Sequence, residues 1–508
     1  MSSAVSRDDK FVAPPVGDIL GHPKQLWMLF ATEFWERFCF YSLRWMLVFY
    51  VVAKFYDGTA SGESPANSVY GAFTALIYAL SIFGGLAADR ILGYQRAILI
   101  GAVFIIIGFV ALTGDSLVSF YSGLSFVIVG NSLFKPNIST MVGQLYPQGD
   151  VRRDRGFTIF YMGINAGAFV APIITGWLAA HYGYLKVNAA TLQSSGLKTV
   201  FIAAGIGMVI SLIWFWFGRK SLGHVGRPPE GKESLASALP AVIGAIVAVP
   251  LMYLMLGKGD WLNYILVGMF VICLGILIHE AMKDGPVQRD KVIALVILFI
   301  FNILFWMFFE QAGSSFSFLA EKIVDRNVMG AFEFQVAWFQ SVNPAAIVIL
   351  APIVTAIWAF SSKRNFEPSI PRKFALGLLA NAIGFLILMY ALQYLVDDRS
   401  MIPFWTLTAC YVFQTIGELA ISPIGLSMVT KLAPARIVGA TMGAWFLSIS
   451  LGYKAAAELA EKMSAGEDGL TVASSLSGFT FSFYLLLGAG ILLFLIAPLV
   501  NKLMHGVK

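Results

Sequence analysis

From about residue 26 onward the chain alternates long apolar runs with short polar connections. The runs reach roughly twenty residues, the length that crosses a bilayer as an α-helix. About fourteen can be drawn, the first near 26–52, the ninth near 292–313 and the last near 477–501. The pattern predicts an all-α polytopic membrane protein. An even number of spans places both termini on one side, and most Lys and Arg lie in loops on that same side, which predicts cytoplasmic termini.

The first run departs from the pattern. Between Thr32 and Arg44 it carries Glu33, Glu36, Arg37 and Arg44 inside an otherwise apolar segment. A charge near mid-membrane costs roughly 2.5–3.5 kcal/mol on insertion scales, so four facing lipid would cost on the order of 10 kcal/mol. At 100° per residue, Glu33, Glu36, Arg37, Tyr41 and Arg44 fall within about 140° of arc, one side of a helix. That side must face protein or water, and a polar stripe on a spanning helix reads as a functional site. Glu33 and Arg37, four residues apart, are also spaced for a simple intrahelical bridge.

Composition agrees with the spans. Only 13% of the 508 residues are charged and 58% are hydrophobic, with mean hydropathy +0.76, whereas soluble domains carry about 25% charged residues. Cys39, Cys273 and Cys410 have no metal or disulfide spacing, and His22, His181, His224, His279 and His505 sit at segment ends. No metal or cofactor is expected, and nothing in the chain suggests nucleic-acid binding. A membrane enzyme would need a nucleophile–base or metal constellation, and no GxSxG string is present. Met1 to Lys24, with Arg7, Asp8, Asp9, Pro14 and Pro15, reads as a flexible cytoplasmic tail.

The longest inner loop, Gly218 to Glu233, follows six spans; two more spans and then a further six complete the chain. The predicted organisation is a tail (1–25), a six-helix bundle (26–217), a linker with two extra transmembrane helices (218–291) and a second six-helix bundle (292–508). Six plus six around a basic connection resembles the major facilitator superfamily. The stretch Gly84 to Arg96 resembles its cytoplasmic signature, with glycines for close helix approach and Asp89 and the arginines for a charge network.

Other spans also carry buried chemistry. Lys135 stands beside Pro136 in span four, Asn165 in the string Phe160 to Gly167, Glu310 at the end of the ninth run, and Glu418 in Gly417 to Pro423. Lys454 and Glu458, four apart, read as a local neutralised pair. Together with the ExxERFxxY string (Glu33 to Tyr41) and FYxxINxG (Phe160 to Gly167), these stretches resemble the proton-dependent oligopeptide transporter family across essentially the whole spanning region. The two extra spans, and the short connection at Asp397–Ile402, look like those of its bacterial members, which implies a bacterial plasma-membrane protein.

The resemblance implies a proton-coupled symporter that imports di- and tripeptides by alternating access, with the proton as coupling ion and a monomer as functional unit. Arg37 and Lys135 would face the substrate carboxylate, and Asn165, Asn343 and Glu310 its ammonium. Ser422 would line the cavity near Glu418, with Tyr41, Tyr78, Tyr161, Trp306 and Trp445 as walls. Glu33, Glu36, Arg37, Glu310 and Glu418 would carry proton coupling; Lys135 with Glu418, and Arg44 with Glu310, are expected as gating pairs. The family's animal members use a histidine in helix two, and span two here has none. Phe40 and Ala168 stand where relatives often have Tyr and Ser. Import of another small anion or zwitterion, such as nitrate or an amino acid derivative, is the alternative.

Overall fold

The computed structural model describes residues 17–147, 150, 152–182, 194–328, 330–364 and 366–507. Among them, fourteen helical segments are long and apolar enough to span a membrane, as the hydropathy pattern predicts. In chain order the helices are α1 (Lys24–Phe55), α2 (Glu63–Ala87), α3 (Tyr94–Leu112), α4 (Leu117–Gln144), α5 (Arg152–His181), α6 (Ser194–Gly218), α7 (Leu239–Leu256) and α8 (Gly259–Lys283). They continue with α9 (Pro286–Phe309), α10 (Ser315–Lys322), α11 (Val342–Lys363), α12 (Ile370–Tyr394), α13 (Phe404–Leu432), α14 (Val438–Met463) and α15 (Val472–Leu503). A turn at Glu310–Gly313 joins α9 to α10 within one span.

The described residues group into two compact units, those within Met1–Ser42, Leu80–Ala171 and Phe201–Tyr253, and those within Leu43–Ala79, Pro172–Val200 and Leu254–Lys508. In the first, α3 and α4 lie backbone to backbone. A Cβ on Gly101 would come within 2.6 Å of the Gly130 carbonyl and the reverse is equally tight, a contact repeated seven residues on between Gly108 and Gly123. Small residues permit this approach, which supplies the packing that lipid-facing surfaces cannot. Gly130→Leu is therefore expected to lower the melting temperature of purified protein by several degrees, checked by thermal unfolding in detergent. The superfamily-like loop works differently from the expected charge network. Arg96 donates to the carbonyls of Lys232 and Ser234 (both 3.0 Å) and of Glu233, fastening the linker, and Asp89 accepts from Tyr94 at 2.7 Å.

The expectation of a flexible tail fails for its last residues. Asp18–Ile19 pairs antiparallel with His22–Pro23, and His22 is buried with its Nδ1 2.8 Å from the Tyr146 hydroxyl. Arg152 reaches both Asp18 (3.2 Å) and Asp150 (2.9 Å), and its hydrogen bonds hold the Asp150 carboxyl below the usual range. The polar composition of the segment hid this, because the bridge depends on partners more than 120 positions away. Residues 1–16 lie outside the described residues.

In the second unit, α2 and α14 run together along a polar and small-residue seam. Asn67 meets Ser464 (3.4 Å), Gly71 abuts Ala457, Ser450 donates to the Ala75 carbonyl (2.7 Å) and Tyr78 meets Tyr453 edge to face at 5.0 Å. Glu63 accepts from Lys322 at 2.9 Å and from the Leu470 amide at 2.6 Å. The extra helix α8 is tied towards both ends of α14, by Asn263 on Glu458 and by Arg436 on Asp284 (2.6 Å). Lys454 and Glu458 are thus more than a local pair. Buried Lys454 lies 3.7 Å from both Glu458 and Glu461, and Glu461 bonds Ser68 of α2, so the cluster joins three helices.

Candidate functional site

The charged stripe of α1 is buried. Glu33 and Glu36 are each 1% exposed and Arg37 4%. The Arg37 Nε lies 3.2 Å from Glu33 Oε1 and 2.5 Å from Glu36 Oε2. Both readings of the spacing therefore meet here: the intrahelical bridge exists, and Arg37 also serves a second carboxylate. Glu36 has a further partner that the sequence reading missed, Asn131 of α4, whose Nδ2 donates to Oε1 at 2.6 Å. Arg37 Nη2 and Glu33 Oε2 remain buried without a hydrogen-bond partner among the described residues. The buried ion cluster therefore leaves one donor and one acceptor without a protein partner among the described residues.

α5 explains why the two most specific strings occur together. A Cβ on Gly163 would lie 2.8 Å from the Phe30 ring, and one on Gly167 would lie 2.4 Å from the Phe34 carbonyl and 3.0 Å from Arg37 Cβ. The glycines, one turn apart, let α5 press on the helix that carries Glu33 and Arg37. Asn165 is buried between them, and its amide donates to the Tyr161 carbonyl at 2.9 Å. Tyr161 is exposed, 40%. Lys135 is half-buried one turn beyond Asn131 and interacts electrostatically with Glu33, while Tyr41, also half-buried, does so with Arg37.

The second unit holds a separate charged centre. Arg44 Nη2 lies 3.1 Å from Glu310 Oε2, and Tyr70, unnoticed in the sequence reading, closes the triangle. Its hydroxyl accepts from Arg44 Nε at 3.0 Å and donates to Glu310 Oε1 at 2.5 Å. Glu310 is no solvated helix end, at 1% exposure. Gly313 makes the triangle sterically feasible, because a Cβ there would sit 1.7 Å from the Tyr70 hydroxyl. A repeat was visible in α2, where Tyr70, Thr74 and Tyr78 follow at four-residue steps, but nothing in the chain singled out the first tyrosine.

Trp306 packs against Phe305, Phe309 and Tyr453, which in turn meets Tyr78, and its indole donates to Asn302 at 3.1 Å. Asn343 donates to Glu418 Oε2 (2.8 Å) and Thr415 (3.0 Å). Ser422, one turn past Glu418, has a buried hydroxyl with no partner among the described residues. Trp445 differs from the expected wall. It is 2% exposed between Phe299 and Phe374, with its ring filling the space left by Gly425, which is a packing position. An indole in an apolar span looks the same in sequence whether it lines a cavity or fills the core.

Fourteen spans with ionic centres buried in their helices define a polytopic membrane transporter. The POT family profile matches residues 95–474. The chain is 35% identical to the peptide transporter YePEPT of Yersinia enterocolitica, covering 96% of each, and 32% identical to dipeptide and tripeptide permease B of Aliivibrio fischeri, again 96% of each. A crystal structure of peptide transporter POT in complex with sulfate superposes with a TM-score of 0.82 at 33% identity, over 97% of this chain and 98% of that one. The chain belongs to the POT family.

Proposed function

We propose that the protein is a proton-coupled symporter that imports di- and tripeptides across a bacterial plasma membrane, with both termini in the cytoplasm and a monomer as the working unit. The buried Glu33–Glu36–Arg37 cluster, with its open Arg37 nitrogen and Glu33 oxygen, is the observation that carries this reading. A peptide is a zwitterion, and its carboxylate suits Arg37 and Lys135. Its ammonium suits Asn165, Asn343 and Glu310. Glutamates in a dry site can exchange a proton as a cation or a substrate charge approaches or leaves. The peptide transporters among the relatives support the substrate class.

The described residues of Leu43–Ala79 and Pro172–Val200, which group with Leu254–Lys508, belong to the outer parts of α1, α2, α5 and α6 in this orientation. Contacts of α1 and α2 with the Glu310–Gly313 turn, α10 and α14 then form an outer seal, with Arg44, Tyr70 and Glu310 at its charged centre.

Uptake of labelled dialanine into proteoliposomes is expected to need an inward proton gradient or a negative-inside potential, and to stop when an ionophore collapses both. A sodium gradient that drives uptake after that collapse would count against proton coupling.

A further inference from the structure

The two glutamates of the α1 cluster are not equivalent. Both oxygens of Glu36 receive donors, Oε2 from Arg37 Nε at 2.5 Å and Oε1 from Asn131 Nδ2 at 2.6 Å. Glu33 has one oxygen on Arg37 at 3.2 Å, and its Oε2 is buried with no partner among the described residues. Hydrogen bonds donated to a carboxylate favour its ionised form, whereas an oxygen without a donor can take a proton and lose no bond.

Asn131 itself is 1% exposed, and its own Oδ1 is buried without a partner among the described residues. The orientation of its amide follows from the chemistry, since the flipped form would set oxygen against the Glu36 carboxylate. A buried polar side chain with half its bonding unmet costs stability that an apolar residue would not. What the Asn131 amide supplies at this site is its donated bond to Glu36. One turn further along α4, Lys135 acts electrostatically on Glu33, so α4 sets a neutral donor at Glu36 and a cation near Glu33.

We propose that Asn131 is a positioning residue for proton coupling: its amide holds the Glu36 carboxylate on Arg37 as a fixed anion and leaves Glu33 to take and release the transported proton. This rests on the symporter reading above. Ionisable groups interacting with Glu36 are Glu33, Arg37 and Cys39 on α1, while Tyr41 acts on Arg37 and Lys135 of α4 on Glu33. At the same level α5 brings Gly167 against Arg37 and α6 brings the Ala204 carbonyl, which accepts from Cys39 at 3.0 Å. The proton arrives at Glu33 Oε2 and leaves from it, and no bond to Glu36 is broken.

The test compares Asn131→Leu, Asn131→Asp and Asn131→Gln with the wild type in proteoliposomes, measuring dialanine counterflow and proton-driven uptake across a pH series. Without the Asn131 donor, Glu36 competes with Glu33 for the proton, and a proton on Glu36 leaves Arg37 to hold Glu33 ionised, so the pH of half-maximal uptake moves downward by about one unit, the shift expected for loss of one charge-assisted hydrogen bond. Counterflow, which needs no net proton movement, stays within about threefold of wild type on the same reasoning. Asn131→Leu is close in volume and adds no charge, so its thermal unfolding guards against misfolding, whereas Asn131→Asp, once protonated beside Glu36, keeps a donor and is expected to stay near the wild-type profile. Asn131→Gln, which keeps the donor, restores the profile in part. A pH profile of Asn131→Leu that superimposes on wild type would overturn the proposal, as would parallel loss of counterflow and uptake in all three variants. A wild-type protein whose uptake ignores the proton gradient would instead remove the symporter reading.

Discussion

Arg37→Ala is expected to leave less than about one hundredth of wild-type proton-driven dialanine uptake. The side chain is 4% exposed and is held by two buried carboxylates at 2.5 and 3.2 Å. Removing one member of a buried ionic group costs about 3–5 kcal/mol, since the remaining charges lose their partner without regaining water. Much of that burden falls on folding, so the single variant alone does not separate structure from transport. The combination Arg37→Ala, Glu33→Gln, Glu36→Gln removes the stranded charges and is expected to regain most of the thermal stability and none of the uptake. Arg37→Lys keeps the charge but replaces a planar fork with a point donor, which cannot reproduce the guanidinium geometry towards both glutamates. Uptake by Arg37→Ala within about threefold of wild type would remove this residue from the binding and coupling site.

The second large effect concerns the Arg44–Tyr70–Glu310 triangle. Arg44→Ala strands Glu310, which is 1% exposed, and is expected both to cut uptake by at least about tenfold and to loosen the packing of α1 and α2 on the Glu310–Gly313 turn, the proposed outer seal. Spin labels at the exposed positions Asp57 and Asn327, in a background lacking native cysteines, report the separation of the two loops that carry them. The wild type is expected to show one dominant distance and Arg44→Ala an added longer one, because a two-state equilibrium moves by the interaction lost from one state. Tyr70→Phe removes only the hydroxyl and is expected to give a smaller change in the same direction. Identical distance distributions in wild type and Arg44→Ala would show that the triangle does not hold the seal.

The sequence by itself determined the membrane class, the number of spans and the family. Hydrocarbon forces every span to be a long apolar helix, so the hydropathy pattern carries the topology, and charges inside such a helix are too costly to be incidental. That is why Glu33, Glu36, Arg37, Arg44, Lys135, Glu310 and Glu418 could all be named before any fold was known. Glycine pairs such as Gly163 and Gly167 were visible as a string, while their purpose, pressing α5 onto Phe30 and Phe34, was not.

Only the tertiary structure decided the partners. Asn131 and Tyr70 are neutral, cost little to place in a helix and leave no mark on a hydropathy profile, yet each completes a buried carboxylate's bonding. Trp445 proved to be core packing and His22 part of an anchored segment, for the same reason in reverse. Uncharged side chains take their roles from neighbours about 95 to 240 positions away, as in Glu36 with Asn131 and Tyr70 with Glu310. Charge announces itself in sequence through the penalty for burying it, whereas hydrogen-bond and packing partners are set by which helix faces meet.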